Sequence, residues 1–264
     1  MASRQRSIRT EGIVLRRRDF GEADRILRLF TRKLGKVSVI AKGVRKPSSK
    51  KSGHLEVFMR SSFLIARGRN LQILTQAEVL DSYEPLRESL EGIGLGSYVV
   101  ELVDAFTYEE GSHVKLYDLI QSTLERLSQN HSPELVLRVY ELRLLDQVGF
   151  RPELFQCVEC GEKITEQDQF LSGSMGGVVC PVCARSMSPE IVRRVTSREL
   201  KFLRHFQRTR YRELINLTLV PELVAALEAS MQYYLTHILE GHLNSPDFLQ
   251  RVKRSSKSGS SASM

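Results

Sequence analysis

Four cysteines carry the clearest chemistry in this chain of 264 residues. They form two pairs, Cys157-Val158-Glu159-Cys160 and Cys180-Pro181-Val182-Cys183, with 19 residues between them. Each CxxC turn points two thiolates at one tetrahedral ion, and this separation falls within the range of four-cysteine zinc sites. Gly161 and Gly176-Gly177 supply the turns a zinc ribbon needs. Four thiolates saturate a zinc ion and leave no position for water activation, so the expected site is structural Zn²⁺. A redox-active dithiol and an iron–sulfur cluster are the alternatives. A lone redox motif needs no second pair, and metal analysis separates iron from zinc.

Basic residues form the second constellation. Residues 1–80 hold 19 Lys/Arg against 6 Asp/Glu, a net of +13, while residues 81–264 hold 20 against 25 and net −5. Such asymmetry points to a polyanionic partner of the first part, nucleic acid before an acidic membrane surface. The candidate contacts are Arg16, Arg17, Arg18, Lys33, Lys36, Lys42, Arg45, Lys46, Lys50, Lys51, Arg67 and Arg69. Lys and Arg in this role touch phosphates and give affinity without reading sequence. Aromatic platforms for unpaired bases are scarce: Phe20, Phe30, Phe58 and Phe63 are the only ones in the region, the last two expected to be partly buried, and the chain has no Trp. Binding is therefore expected to be mainly electrostatic. A further basic run recurs at helical spacing through Arg198, Lys201, Arg204 and Arg208. It suits a solvated helix face, an accessory nucleic-acid contact or capture of an acidic peptide.

Enzyme signatures are missing. There is no GxxxxGK[ST] phosphate loop, and Gly92-Ile93-Gly94-Leu95-Gly96 lacks the lysine and fits a helix start. The six histidines form no HExxH, and no cysteine lies outside the quartet.

The elements that must position these residues are set by periodicity. Runs at 9–18, 24–31 and 36–42, then Leu55–Ala66 and Leu71–Val79, alternate as strands, with Arg67-Gly68-Arg69-Asn70 joining the last two. In the third run Val37, Val39 and Ala41 take one side, Lys36 and Lys42 the other. Five strands in about 75 residues fit an OB-fold barrel, and an SH3-like barrel fits the same pattern. After Tyr83 the period becomes helical. Ser132-Pro133-Glu134 starts a helix that carries Leu137, Tyr140, Leu144 and Val148 inward, and Thr196 with Glu199 makes a capping box.

The expected class is α+β: an N-terminal five-stranded OB-fold barrel over 1–82, then an α-helical domain over 83–250 with a four-cysteine zinc ribbon at 150–185. Residues 251–264, Ser-rich and basic, are expected to be a disordered tail. No apolar run approaches the length of a membrane span, and the polar start MASRQRSIRT is unlike a secretory signal, which suggests a cytoplasmic protein.

GIVLRRRDFGEADRILRLFTRKLGKVSVIAKGVRK, the later YELRLLDQVGFRPELFQCVECGE and the CPVC pair together resemble the RecO family of bacterial recombination mediators, in the family's order from about Ile8 to Leu249. The resemblance implies an OB-fold, a helical domain and a zinc motif. It also implies binding of single- and double-stranded DNA, strand annealing, and a nucleoid-associated role in DNA repair without nucleotide hydrolysis. Implied partners are RecR and the acidic C-terminal tail of single-strand-binding protein, with RecA loading as the outcome. A pocket for that tail is implied in the helical domain, where Arg138 and Arg143 beside Leu137 and Tyr140 would suit an acidic peptide. RNA-binding or ribosome-associated factors also combine barrels with zinc ribbons, because charge does not sense the 2′-OH.

Overall fold

The structure is a computed structural model that describes residues 7–47, 49, 52–108, 111–240, 243–247 and 249. Two compact units emerge: one runs to Gln129 and takes in the chain again from Asn244, the other is Asn130–Leu243. The change of period near residue 82 marks the end of a barrel, not the end of a unit.

Five strands, β1 (Ile8–Phe20), β2 (Asp24–Thr31), β3 (Gly35–Ala41), β4 (Arg60–Ala66) and β5 (Gln72–Asp81), close in the order β1-β2-β3-β5-β4. All pairs are antiparallel except β3 with β5, which is parallel. This is the five-stranded Greek-key barrel of the OB type. Val14, Leu27, Leu29, Val39, Phe63 and Leu74 fill its interior. Each such side chain contributes on the order of 1.5–3 kcal/mol by leaving water.

Two details differ from simple alternation. The strand expected from Leu55 begins only at Arg60, because Phe58 takes the left-handed region at φ 54° and its N–H donates to the Val14 carbonyl at 2.8 Å. On β5 a bulge at Thr75 shifts the register, so Leu74, not Ile73, turns inward opposite Ile65.

Helices α1 (Glu84–Arg87), α2 (Leu90–Phe106) and α3 (Val114–Ser128) complete the first unit. Ser89 caps α2 by accepting from the Gly92 N–H at 2.9 Å. Gly96 has its role here: a Cβ on it would stand 2.9 Å from the Phe58 ring, so the Gly-rich run serves close packing. The returning residues Asn244 and Ser245 donate their backbone N–H groups to the Glu101 carboxylate on α2 at 2.9 and 2.8 Å.

In the second unit, α4 (Pro133–Gln147) has the Ser132 cap and packs with both α6 (Ser197–Arg208) and α8 (Pro221–Leu239). Between α4 and α6 lies a small antiparallel sheet in the order β7-β6-β8, from β6 (Gln169–Ser172), β7 (Gly177–Val179) and β8 (Arg193–Val195). The short α5 (Pro181–Ala184) comes after β7, and α7 (Tyr211–Leu214) after α6. The capping box at Thr196 and Glu199 is formed in both directions.

Candidate nucleic-acid interface and metal centre

A bulge in β1 between Val14 and Arg16 buries Ile13, Val14 and Leu15 in succession and re-aims the rest of the strand. Past the bulge Arg16 stands opposite Arg28, and Arg18 opposite Ile26, while Ser38 and Ile40 continue the same two rows on β3. These residues form the outer face of β1–β2–β3, opposite in parity to the buried Leu27 and Val39. Arg16, Arg17, Arg18, Ile26, Arg28 and Ser38 line a groove of about 240 Å³ there.

One carboxylate organises the face. Asp104 on α2 is 3% exposed and accepts from Arg16 Nε at 2.8 Å, Arg28 Nη1 at 3.2 Å and Lys36 Nζ at 3.4 Å. The Arg16 and Arg28 side chains remain 61% and 40% exposed. Their guanidinium groups are thus fixed at one edge and open at the other, which suits phosphate. Arg17, also at the groove, pairs with Glu56. At the tip of the β1–β2 hairpin, Asp19 accepts from Arg25 at 2.8 Å and lies 3.3 Å from Arg45. The Arg25 hydrogen bond, together with the charge of Arg45, holds the Asp19 carboxyl below its usual range against a smaller opposing burial effect.

The other predicted cations are dispersed. Lys36 is buried, with Nζ 2.7 Å from the Asp104 carbonyl oxygen, and is not a surface contact. It alternates with Val37 and Val39 as expected, but it shares a row with the buried Ile13 and Phe30. Lys33 lies in the β2–β3 turn and donates to the Arg9 carbonyl at 3.0 Å. Lys42 and Lys46 line a separate groove of about 560 Å³ with Arg9, His54, Gln76 and Glu78. Arg67 and Arg69 are exposed in the β4–β5 connection. Lys50, Lys51 and the tail 251–264 lie outside the described residues. Arg28 and Asp104 are candidate residues of this face that sequence reasoning missed. Arg28 comes two positions after Ile26 in an alternating strand, which places it outward, whereas the role of Asp104 depends on packing.

The four cysteines come together. Their Sγ atoms all lie within 4.8 Å of one another, with Cys160 and Cys180 3.9 Å apart. A tetrahedron with metal–sulfur bonds of about 2.3 Å has edges of about 3.8 Å, so the quartet fits one metal ion. The first pair sits in a tight turn in which the Cys157 N–H donates to the Glu162 carbonyl and the Gly161 N–H to the Cys157 carbonyl, both at 2.8 Å. Gly161 permits that turn at φ 77°. The second pair begins after β7, where the Cys180 N–H donates to Cys157 Sγ at 3.3 Å. Burial raises the Cys157 thiol, but N–H groups of Cys160, Cys180 and Glu159 outweigh it and bring it down to about 6. Cys183, hydrogen-bonded first to Cys180 and partly desolvated, is pushed up to about 12. A cation is what would let the crowded thiols all ionise.

The basic stripe of α6 is largely engaged within its own unit. Arg204 Nε donates to the Leu154 carbonyl at 2.7 Å and its guanidinium lies 5.0 Å from the Phe155 ring centre. Arg208 covers the same ring at 3.6 Å, and Lys201 pairs with Glu166 at 3.4 Å. Arg198 is exposed and has no partner among the described residues. The suggested peptide site on α4 is corrected: Leu137 and Tyr140 are buried, Arg138 is buried in an ion pair with Glu141, and Arg143 donates to the Thr209 carbonyl. The reason is that α4 is buried from Leu135 to Leu145 apart from Arg143, so these side chains face the interior of the protein. No helix among the described residues is long and apolar enough to cross a membrane.

Comparison with known proteins agrees across nearly the whole chain. Residues 4–83 match the family model described as Recombination protein O N terminal, and residues 87–247 that described as Recombination protein O C terminal. The chain is 38% identical over 261 residues to a Roseiflexus sp. (strain RS-1) protein named DNA repair protein RecO, covering 99% of this chain and 91% of that protein. Proteins of the same name from Pelotomaculum thermopropionicum and Dehalococcoides mccartyi (strain CBDB1) are 38% and 34% identical, covering 92% and 88% of this chain and 93% and 90% of theirs. The chain belongs to the RecO family.

Proposed function

We propose that this chain is a non-enzymatic mediator of recombination in DNA repair. It binds single- and double-stranded DNA through the barrel, anneals complementary strands and helps RecA onto DNA covered by single-strand-binding protein. RecR and the acidic tail of single-strand-binding protein are its protein partners, and a structural zinc ion fills the cysteine site. The observation that carries this reading is the outer face of β1–β2–β3, where Arg16, Arg18 and Arg28 open onto one groove. Membership of a family whose relatives are named for DNA repair supports it. The cysteine quartet supports the second unit as scaffold, because four thiolates leave a metal no reactive position.

The decisive test is strand annealing on DNA coated with single-strand-binding protein, with and without its acidic tail. Faster annealing that depends on the tail is expected, and no acceleration on either substrate would refute the mediator role. If about six phosphates are neutralised, log K against log salt for a single strand should have a slope of roughly −4. A flat dependence would exclude an electrostatic grip. Metal analysis of the purified chain should give one zinc per chain.

A further inference from the structure

We infer that Phe20 is a base-stacking residue, which lets the basic face distinguish unpaired from paired strands. This rests on the DNA-binding reading above and sharpens it. Phe20 is 49% exposed, while the other barrel phenylalanines, Phe30, Phe58 and Phe63, are at most 2% exposed. It shares the parity of Arg16 and Arg18 on β1 beyond the bulge, so all three project from the outer face in one row. Ile26 and Ile40 add apolar surface to that face.

The spacing selects the ligand. Two strand residues advance by about 6.7 Å, roughly twice the 3.4 Å rise per nucleotide of a duplex strand. A stretched single strand with separated bases can track such a row, giving phosphates to Arg16 and Arg18 and a base to Phe20. A duplex keeps its ring faces stacked inside.

The hairpin tip is held in place. Gly21 takes φ 57° in the turn, Asp19 binds Arg25 and Arg45, and Arg45 donates from its side chain to the Gly21 carbonyl at 3.3 Å and from its backbone to the Ala23 carbonyl at 2.9 Å. The Gly43 N–H donates to the Asp24 carboxylate at 2.7 Å. A ring on so fixed a support loses little freedom when a base lands on it.

The test uses the full chain, a single-stranded oligonucleotide and a duplex of the same sequence. Phe20→Ala should weaken single-strand binding by about 5- to 150-fold, leave duplex binding within about twofold, and keep the salt slope. The chain has no Trp, so Phe20→Trp installs a unique fluorophore in place of a Phe. Its emission should be quenched by the single strand and not by the duplex, with affinity retained. Equal losses for both DNA forms in the alanine variant, or unchanged tryptophan emission with bound single strand, would overturn the inference. Failure of the unaltered chain to bind either DNA would instead refute the DNA-binding reading itself.

Discussion

Two stretches of this chain carry dense positive charge, and they use it in opposite ways. On the barrel, Arg16 and Arg28 share a single buried carboxylate and keep their outer edges open. On α6, Arg204 and Arg208 close over Phe155, Lys201 meets Glu166, and the adjoining Arg194 on β8 meets Asp168 at 2.8 Å. The first arrangement leaves charge open to solvent; the second fastens a ribbon to a helix. Charge density is the same signal in both, and availability is what separates them.

Substitutions can break or sharpen this contrast. The largest effect is expected from Cys157→Ser, since a structural zinc site contributes about 10–16 kcal/mol of apparent free energy. The amides of β6–β8 should lose hydrogen-exchange protection and the metal should be lost, while barrel affinity for DNA changes by less than about twofold. Asp104→Asn comes next. It removes the charge partner of the buried Lys36 and should destabilise the first unit by about 3 kcal/mol in urea denaturation. Lys36→Met in the same chain should restore part of the loss.

Replacing Arg16, Arg18 and Arg28 together by Ala should lower single-strand affinity on the order of 100-fold at low salt and flatten the salt slope by about 2. The thermal midpoint should fall less than in Asp104→Asn, because Lys36 still pairs the buried Asp104 carboxylate after Arg16 and Arg28 are removed. Arg204→Ala should do the reverse, costing the second unit about 1–2 kcal/mol with DNA affinity unchanged. If Arg204→Ala lost affinity and the barrel triple did not, the contrast would be inverted.

The smallest effect concerns acid. Burial raises the Glu101 carboxyl, but hydrogen bonds from Ser245 and Asn244 outweigh it, so its folded pKa lies below the usual value. Its contribution is therefore complete well above the unfolded value of about 4.3 and is lost as pH falls through the folded pKa. Glu101→Gln should remove about 1 kcal/mol at neutral pH and flatten the acid limb of the first unit's stability.

What could be read from sequence was what depends on neighbours along the chain. Two CxxC turns, the Thr196–Glu199 capping box, the Ser132 cap and the five strands all rest on local spacing and all form, with a later start to β4 and a bulge in β5. What could not be read depends on distant cover. Lys36 alternates with Val37 as an outward residue should, yet the α2 residue Asp104 makes it part of the interior. Leu137 and Tyr140 lie in the buried middle of α4, where a stripe of apolar residues says nothing about a free face. Arg28 is legible in strand parity but not in a count of charge runs, because it stands alone between Leu27 and Leu29.

The bond between Glu101 and Asn244 spans 143 residues of sequence. Translation at about 5–20 residues per second therefore puts roughly 7–30 seconds between making the acceptor and making its donor. During that interval the barrel and three helices of the first unit have been made but not its closing segment, while the cysteine ribbon is already emerging. Order of synthesis and order of completion are thus inverted: the first unit to begin is the last to be sealed. A message truncated just after Leu243 would yield a whole second unit attached to a first one that lacks the donors to Glu101.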